Sequence, residues 1–221
     1  MSAAGGGGCS PALRQVRVGL LVCWLLAGSP TAVLAGAQQY EPLADSVRSA
    51  LAASVADRAE PEPVFDSPLH RADWLAQMAE RLPRRWKPTL TERVAFLLAV
   101  RYEAQRAGLE PELVLGLIQV ESNFRRYAVS SAGARGYMQV MPFWTELIGD
   151  GNVQSLFTTR TNLRYGCTIL RHYLDRESGN LFRALGRYNG SLGRATYPDK
   201  VLAAWRRWAY RTSADNKSGG R

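Results

Sequence analysis

The stretch that decides the fold is residues 111–123, which read PELVLGLIQVESN. Pro111 suits the first turn of a helix, and the residues after it are apolar on nearly every side, so the pattern predicts a core helix. Glu121 ends this apolar run. Burial and the negative C-terminal end of the helix both disfavour a charged carboxylate there and raise its pKa. Such a group can hold a proton near neutral pH and donate it as a general acid.

Periodicity and end signals predict further helices. Thr89 and Glu92 have capping-box spacing and Gly108 follows the last turn, so a helix is expected from about Leu90 to Ala107. The remaining helices are expected at residues 69–82, 142–148, 161–177, 180–188 and 198–210. Only residues 128–135, rich in serine, alanine and glycine, favour a small hairpin or irregular loop. The sequence therefore predicts a mainly α-helical fold. It is of the α+β type only through one minor β-hairpin element.

The chain divides into four expected segments. Residues 1–37 contain two arginines and no acidic residue, and their apolar run is shorter than the about 20 residues that a membrane span needs. This pattern predicts a cleavable signal peptide and no integral membrane span. The protein is therefore expected to be periplasmic. Residues 38–84 are expected to form an N-terminal helical and linker segment, with 38–66 loosely attached. Residues 85–211 are expected to form the main domain, and 212–221 a flexible tail.

Composition restricts the partners. The chain has 28 Lys and Arg against 19 Asp and Glu, a net charge of +9, so it is attracted to polyanions such as nucleic acid, anionic lipid or a carboxylate-bearing cell wall. No helix-turn-helix, zinc or aromatic-basic pattern supports nucleic acid as the partner. His70 and His172 lack companion ligands, so no metal is expected. Removal of residues 1–37 would leave Cys167 as the sole cysteine, expected to be a buried structural thiol.

Three motifs occur in order along the chain. They are Glu121-Ser122, then GYMQVMP at residues 136–142, then YNG at residues 188–190. Together they resemble the signature motifs of lytic transglycosylases with a soluble-lytic-transglycosylase domain, which are relatives of goose-type lysozyme. The resemblance covers residues 85–211 and implies a lysozyme-like domain that cleaves peptidoglycan glycan strands without a cofactor. Two positions depart from the family, with Tyr137 where Leu is more common and Arg187 where Ala is usual.

The resemblance also implies a mechanism. Glu121 would protonate the oxygen between N-acetylmuramic acid and N-acetylglucosamine, and would then deprotonate the C6 hydroxyl that closes a 1,6-anhydro ring. Tyr188 is implied to lie against the Glu121 carboxyl and orient it. The residues implied to bind substrate are Ser130, Gln139, Met141, Tyr188, Asn189 and Tyr197.

The residues themselves offer one convincing carboxylate, whereas most glycosidases need two. The acids downstream have polar surroundings typical of surface charge; they are Glu146, Asp150, Asp175, Glu177 and Asp199. A single acid suffices if the substrate's N-acetyl oxygen and C6 hydroxyl replace the second group.

Two other functions stay open: a goose-type lysozyme that uses water and needs a second acid, and a non-catalytic cell-wall-binding assembly factor. A monomer is expected, and cell-wall or secretion machinery is a further candidate partner.

Overall fold

The computed structural model describes residues 38–57, 62–87 and 89–211. The expected signal peptide at 1–37 and the expected tail at 212–221 lie outside the described residues. The described helices are α1 (Asp45–Ala56), α2 (Pro68–Arg81), α3 (Leu90–Arg106), α4 (Pro111–Ser122), α5 (Phe143–Ile148), α6 (Thr159–Arg176), α7 (Leu181–Tyr188) and α8 (Thr196–Trp208), with a 3-10 helix at Val153–Phe157. The predicted mainly α-helical fold is confirmed. In the expected hairpin region, the β pairing among the described residues consists of two isolated antiparallel bridges, Val129–Arg135 and Arg135–Val140.

The predicted core helix is α4. Pro111 is its first residue, and the side chains from Leu113 to Ile118 are buried. Helix α8 crosses it so closely that a Cβ atom added to Gly116 would lie 2.6 Å from the backbone nitrogen of Trp205. Glycine is therefore required for this packing. Asn123 ends α4 in the left-handed conformation, with φ of 48°.

Helix α3 begins at the predicted capping box. The Thr89 hydroxyl accepts a hydrogen bond from the Glu92 backbone at 3.1 Å, and the Glu92 carboxylate accepts one from the Thr89 backbone at 3.0 Å. Further along α3, Glu103 is fully buried and ion-paired with Arg106 at 2.8 Å and with Arg164 of α6 at 2.9 Å. This buried cluster connects α3 to α6, and no pattern in the sequence predicts it.

The prediction that residues 38–66 are loosely attached is wrong for the described part of that segment. Leu51, Ala52 and Val55 of α1 pack against the core. The backbone oxygen of Ser54 accepts a hydrogen bond from Arg106 Nη1 at 2.8 Å. The Ala-rich stretch has few large apolar residues, so its own pattern did not reveal that it covers α5 and α6.

Cys167 of α6 is buried, as predicted, and burial raises the pKa of its thiol. A buried, protonated thiol behaves as a small apolar group. Among the described residues, no helix is long and apolar enough to cross a membrane.

Candidate active site

Glu121 is the penultimate residue of α4 and is half-buried. Burial raises the pKa of its carboxyl to about 8, in the predicted direction. A hydrogen bond donated by the Tyr197 hydroxyl to Glu121 Oε1 acts in the opposite direction and lowers the pKa. Tyr197 is the second residue of α8 and is itself buried. The packing of α8 on α4 thus brings this phenol to the carboxyl.

The Tyr188 hydroxyl, expected to orient Glu121, has a different hydrogen-bond partner. Tyr188 is fully buried at the end of α7, and its hydroxyl donates to the backbone oxygen of Met138 at 2.7 Å. Burial and, secondarily, the negative charge of Glu121 raise the Tyr188 pKa, which places this phenol in the same neighbourhood without a hydrogen bond to the acid. Tyr188 therefore fixes the position of the GYMQVMP segment, and Tyr197 holds Glu121.

Ser130 and Gln139 both stabilise the loop that follows α4. The Ser130 hydroxyl accepts a hydrogen bond from the Ala134 backbone at 3.1 Å. Gln139 is buried with a φ of 50°, and its Nε2 donates to the backbone oxygens of Ala128 at 3.2 Å and Gly136 at 2.9 Å. The amide nitrogen expected at the glycan groove is thus already engaged within the loop.

Gln38, which no sequence motif indicates, binds the other side of this segment. Its Nε2 donates to the backbone oxygen of Gln139 at 3.0 Å, and its Oε1 accepts from the backbone nitrogen of Met141 at 2.8 Å. Gln38 is 4% exposed. Met141 and Asn189 are both partly buried, and Asn189 is the residue that ends α7.

No sequence motif indicates Asn162 of α6 either. Its Oδ1 accepts from the Met138 backbone at 2.8 Å, and its Nδ2 donates to the backbone oxygens of Arg135 at 2.9 Å and Leu156 at 2.8 Å. Gly136 has a φ of +76°, and a Cβ atom there would lie 2.3 Å from Asn162 Nδ2. The only sequence signal was a polar amide on the apolar face of a helix.

Residues 99–200 match the family model described as the Transglycosylase SLT domain, a range that includes every predicted site residue. This part of the chain is therefore similar to a transglycosylase SLT domain.

Among its relatives is a transglycosylase of Enterobacteria phage PRD1, 35% identical over 43% of this chain and 37% of the relative. Another is the membrane-bound lytic murein transglycosylase C of Haemophilus influenzae (strain PittEE), 32% identical over 50% of this chain and 36% of the relative. The protein of the same name in Actinobacillus pleuropneumoniae serotype 5b is 55% identical over 21% of this chain and 13% of the relative. The chain spans little more than a third of the length of the first two relatives.

Most of the other acids downstream of Glu121 lie at the surface, as expected. Four of the expected surface acids are exposed; they are Glu146, Asp150, Asp175 and Asp199. Glu177 departs from that expectation, because its side chain is 6% exposed and ion-paired with Arg183 and Arg187. The pKa of Glu121 is raised by burial and lowered by Tyr197, and within residues 38–57, 62–87 and 89–211 no carboxylate is among the causes of its shift. No group of His, Cys, Asp and Glu side chains suited to a metal ion occurs in the part of the chain that the structure describes.

Proposed function

We propose that this chain is an exported peptidoglycan lytic transglycosylase. It cleaves the β-1,4 bond between N-acetylmuramic acid and N-acetylglucosamine and leaves 1,6-anhydro-N-acetylmuramic acid ends. The observation that carries the proposal is the Glu121 carboxyl of the SLT domain, half-buried, bound by Tyr197 and with a pKa of about 8. The names of the relatives support the same reaction class.

The raised pKa suits both steps. Near neutral pH, Glu121 is protonated and gives its proton to the glycosidic oxygen, while the substrate's N-acetyl oxygen stabilises the positive charge that develops at C1. The ionised Glu121, bound by the Tyr197 hydroxyl, then removes the proton of the C6 hydroxyl as that oxygen attacks C1. The anhydro ring closes, Glu121 is protonated again, and no water is consumed.

The rival hydrolysis by a goose-type lysozyme requires a base to activate water. The downstream acids within the described residues are exposed or, in Glu177, paired with arginines, which supports the intramolecular C6 attack. Tyr197 is proposed to position the acid, with Tyr188 holding the adjacent segment. Ser130, Gln139, Met141 and Asn189 are proposed to form the groove around it, the first two through the loop that they fold.

Mass spectrometry of digested sacculi tests the proposal. Purified peptidoglycan incubated with the protein should yield glycan ends lighter by one water than the products of a hydrolytic muramidase. Glu121→Gln should reduce product formation by at least about a hundredfold, because glutamine cannot donate the proton. Reducing ends would identify a hydrolase, and binding to sacculi without any new ends would identify a non-catalytic wall-binding protein.

A further inference from the structure

Residues 38–41 form a strap that contacts the GYMQVMP segment at residues 136–142. Gln38 is the strap residue that makes the direct contact. Its Nε2 donates to the Gln139 backbone oxygen at 3.0 Å, and its Oε1 accepts from the Met141 backbone nitrogen at 2.8 Å. One side-chain amide thus pairs with two backbone groups that lie two residues apart, as a neighbouring β-strand would.

The two backbone groups depend on Gln38. Among the described residues, neither the Gln139 oxygen nor the Met141 nitrogen has another hydrogen-bond partner. Gln38 is buried, so its amide is shielded from competing water. A buried backbone group without a partner costs about as much free energy as a lost hydrogen bond. Loss of the Gln38 amide would therefore favour a rearrangement of the segment.

The segment needs such support because its backbone is strained. Gln139 has a φ of 50°, in the left-handed region that residues other than glycine rarely adopt. A strained conformation persists only where the surrounding structure holds it. Asn162 and Tyr188 hold the segment at Met138, whereas Gln38 holds it from residue 139 to residue 141. Gln38 therefore controls the end of the segment that carries Met141.

The rest of the strap is anchored to the helices that follow the segment. The Tyr40 ring packs edge-on against Phe143 at the start of α5, with 5.7 Å between the ring centres. The Glu41 carboxylate is ion-paired with Arg176 of α6 and with Arg187 of α7, the latter at 3.2 Å. Contacts with three helices thus fix the strap and hold the Gln38 amide in place.

The strap differs from the motifs that this chain shares with the family. Residues 38–41 lie outside the range 99–200 that matches the family model. Arg187, which binds the strap through Glu41, stands where the family usually has Ala. The strap contact therefore explains one of the two departures from the family pattern.

We propose that Gln38 is a positioning residue for the glycan groove, because it fixes the backbone that presents Met141 to the sugar chain. The inference rests on the proposed function, which supplies the glycan strand as the ligand. Glu121 does not depend on this contact, since α4 carries the acid and α8 supplies Tyr197. Gln38 therefore acts on substrate binding and not on proton transfer.

Gln38→Ala tests this division of roles. The variant should raise the KM for purified peptidoglycan about tenfold, the factor that corresponds to roughly one hydrogen bond. It should leave kcat and the alkaline limit of the pH profile unchanged, because Glu121 and Tyr197 are held elsewhere. Hydrogen exchange of the backbone amide of Met141 should become faster, since that amide loses its acceptor.

Gln38→Glu gives a readout that a loss of stability alone would not produce. Glutamate keeps an acceptor for Met141, but it can donate to the Gln139 oxygen only when it is protonated. Its kcat/KM relative to the wild type should therefore rise as the pH falls from about 8 to about 5. The same ratio for Gln38→Ala should stay level, and dividing by the wild type removes the titration of Glu121 and of the substrate.

Gln77→Ala is the matched control. Gln77 of α2 makes a similar pairing with the backbone of Arg211, its Nε2 donating to the oxygen at 2.8 Å and its Oε1 accepting from the nitrogen at 3.4 Å. The control should keep the KM of the wild type. An unchanged KM in Gln38→Ala, or a level ratio in Gln38→Glu, would overturn the inference and leave Gln38 as an anchor of the strap alone.

Glu41→Gln keeps the test decisive if the Gln38 variants do not fold. This change loosens the strap while leaving both Gln38 hydrogen bonds in place, and should raise the KM about two- to threefold, as expected for partly exposed ion pairs. An unchanged KM there would overturn the inference.

Failure of the proposed function gives a different result. If the wild type does not cleave peptidoglycan, that function fails, and sedimentation with purified sacculi decides the inference separately. Binding by the wild type that weakens in Gln38→Ala but not in Gln77→Ala supports the inference. Equal binding by all three proteins, or no binding by the wild type, overturns it.

Discussion

Glu121 is subject to two opposing influences at the residue scale. Burial disfavours the carboxylate and raises its pKa to about 8, whereas the Tyr197 hydroxyl favours the carboxylate and lowers the pKa. Because burial has the larger effect, the acid is protonated at neutral pH. Because the phenol stabilises the anion, the ionised form is still accessible during the reaction.

Glu121→Gln should stabilise the protein at high pH. The folded-state pKa of about 8 lies above the usual 4.5, so the protonated carboxyl favours folding below pH 4.5, and this contribution is lost as the pH rises through 8. Glutamine does not ionise, so the variant should gain roughly 1–3 kcal/mol of unfolding free energy near pH 9 and much less near pH 4. Urea denaturation at both pH values measures the difference, and a pH-independent gap would mean that the carboxyl has an ordinary pKa.

Tyr197→Phe should slow turnover and move its alkaline limit. The variant loses the donor that favours the ionised carboxylate, so the Glu121 pKa rises further and the fall in kcat/KM above about pH 8 shifts to higher pH. Tyr188→Phe is the matched control, because it loses only the bond to Met138 and should cost roughly 0.5–1.5 kcal/mol of stability. A shift of the pH profile in the control and not in Tyr197→Phe would reverse the two roles.

The site was predictable from sequence where the signal is local. An acid at the end of an apolar helix stands out, so Glu121 and the direction of its pKa shift were predicted. Tyr188 and Tyr197 lie on consecutive helices, and only the packing of α8 on α4 decides which phenol reaches the carboxyl. Gln38 and Asn162 bind backbone atoms far away in the chain, and no periodicity reports such contacts.

At the scale of elements, the close crossing of α4 and α8 positions the acid's partner. Gly116→Ala should raise the intrinsic helix propensity of α4 yet destabilise the protein, because the new methyl would lie 2.6 Å from the Trp205 backbone nitrogen. Such overpacking costs about 1–3 kcal/mol, and displacing α8 would also withdraw Tyr197 from Glu121.

The melting temperature and the turnover of Gly116→Ala should therefore both be lower than those of the wild type. A variant with a higher melting temperature and normal turnover would show that α8 moves aside freely and that the crossing does not position Tyr197.

Helix ends were predicted more reliably than helix packing. The capping box of α3 and the proline at the start of α4 involve residues within one turn of each other, so the sequence contains the whole signal. The attachment of α1 depends instead on Arg106, which lies 52 residues after its partner Ser54 in the sequence. It also depends on apolar residues that are few and small. Its pattern alone therefore resembled that of a loosely attached segment.

At the scale of the whole molecule, a net charge of +9 attracts the chain to polyanions, which include the proposed cell-wall substrate. Screening by salt shortens the reach of these charges, from about 10 Å at about 0.1 M to about 3 Å at about 1 M. The Glu121 site is less affected, because it is half-buried and its hydrogen bond to Tyr197 is a contact rather than a long-range force.

Raising the salt concentration over this range should consequently increase the KM for sacculi several-fold and change kcat little. Digestion kinetics at the two salt concentrations measure both constants, with sucrose of equal osmolarity as the control for solvent effects. Should kcat fall while KM stays constant, the mobile ions would be acting on the acid and its phenol rather than on the encounter with the wall. The basic surface would then contribute nothing to substrate capture, and the affinity for sacculi would have to come from short-range contacts in the groove around Glu121.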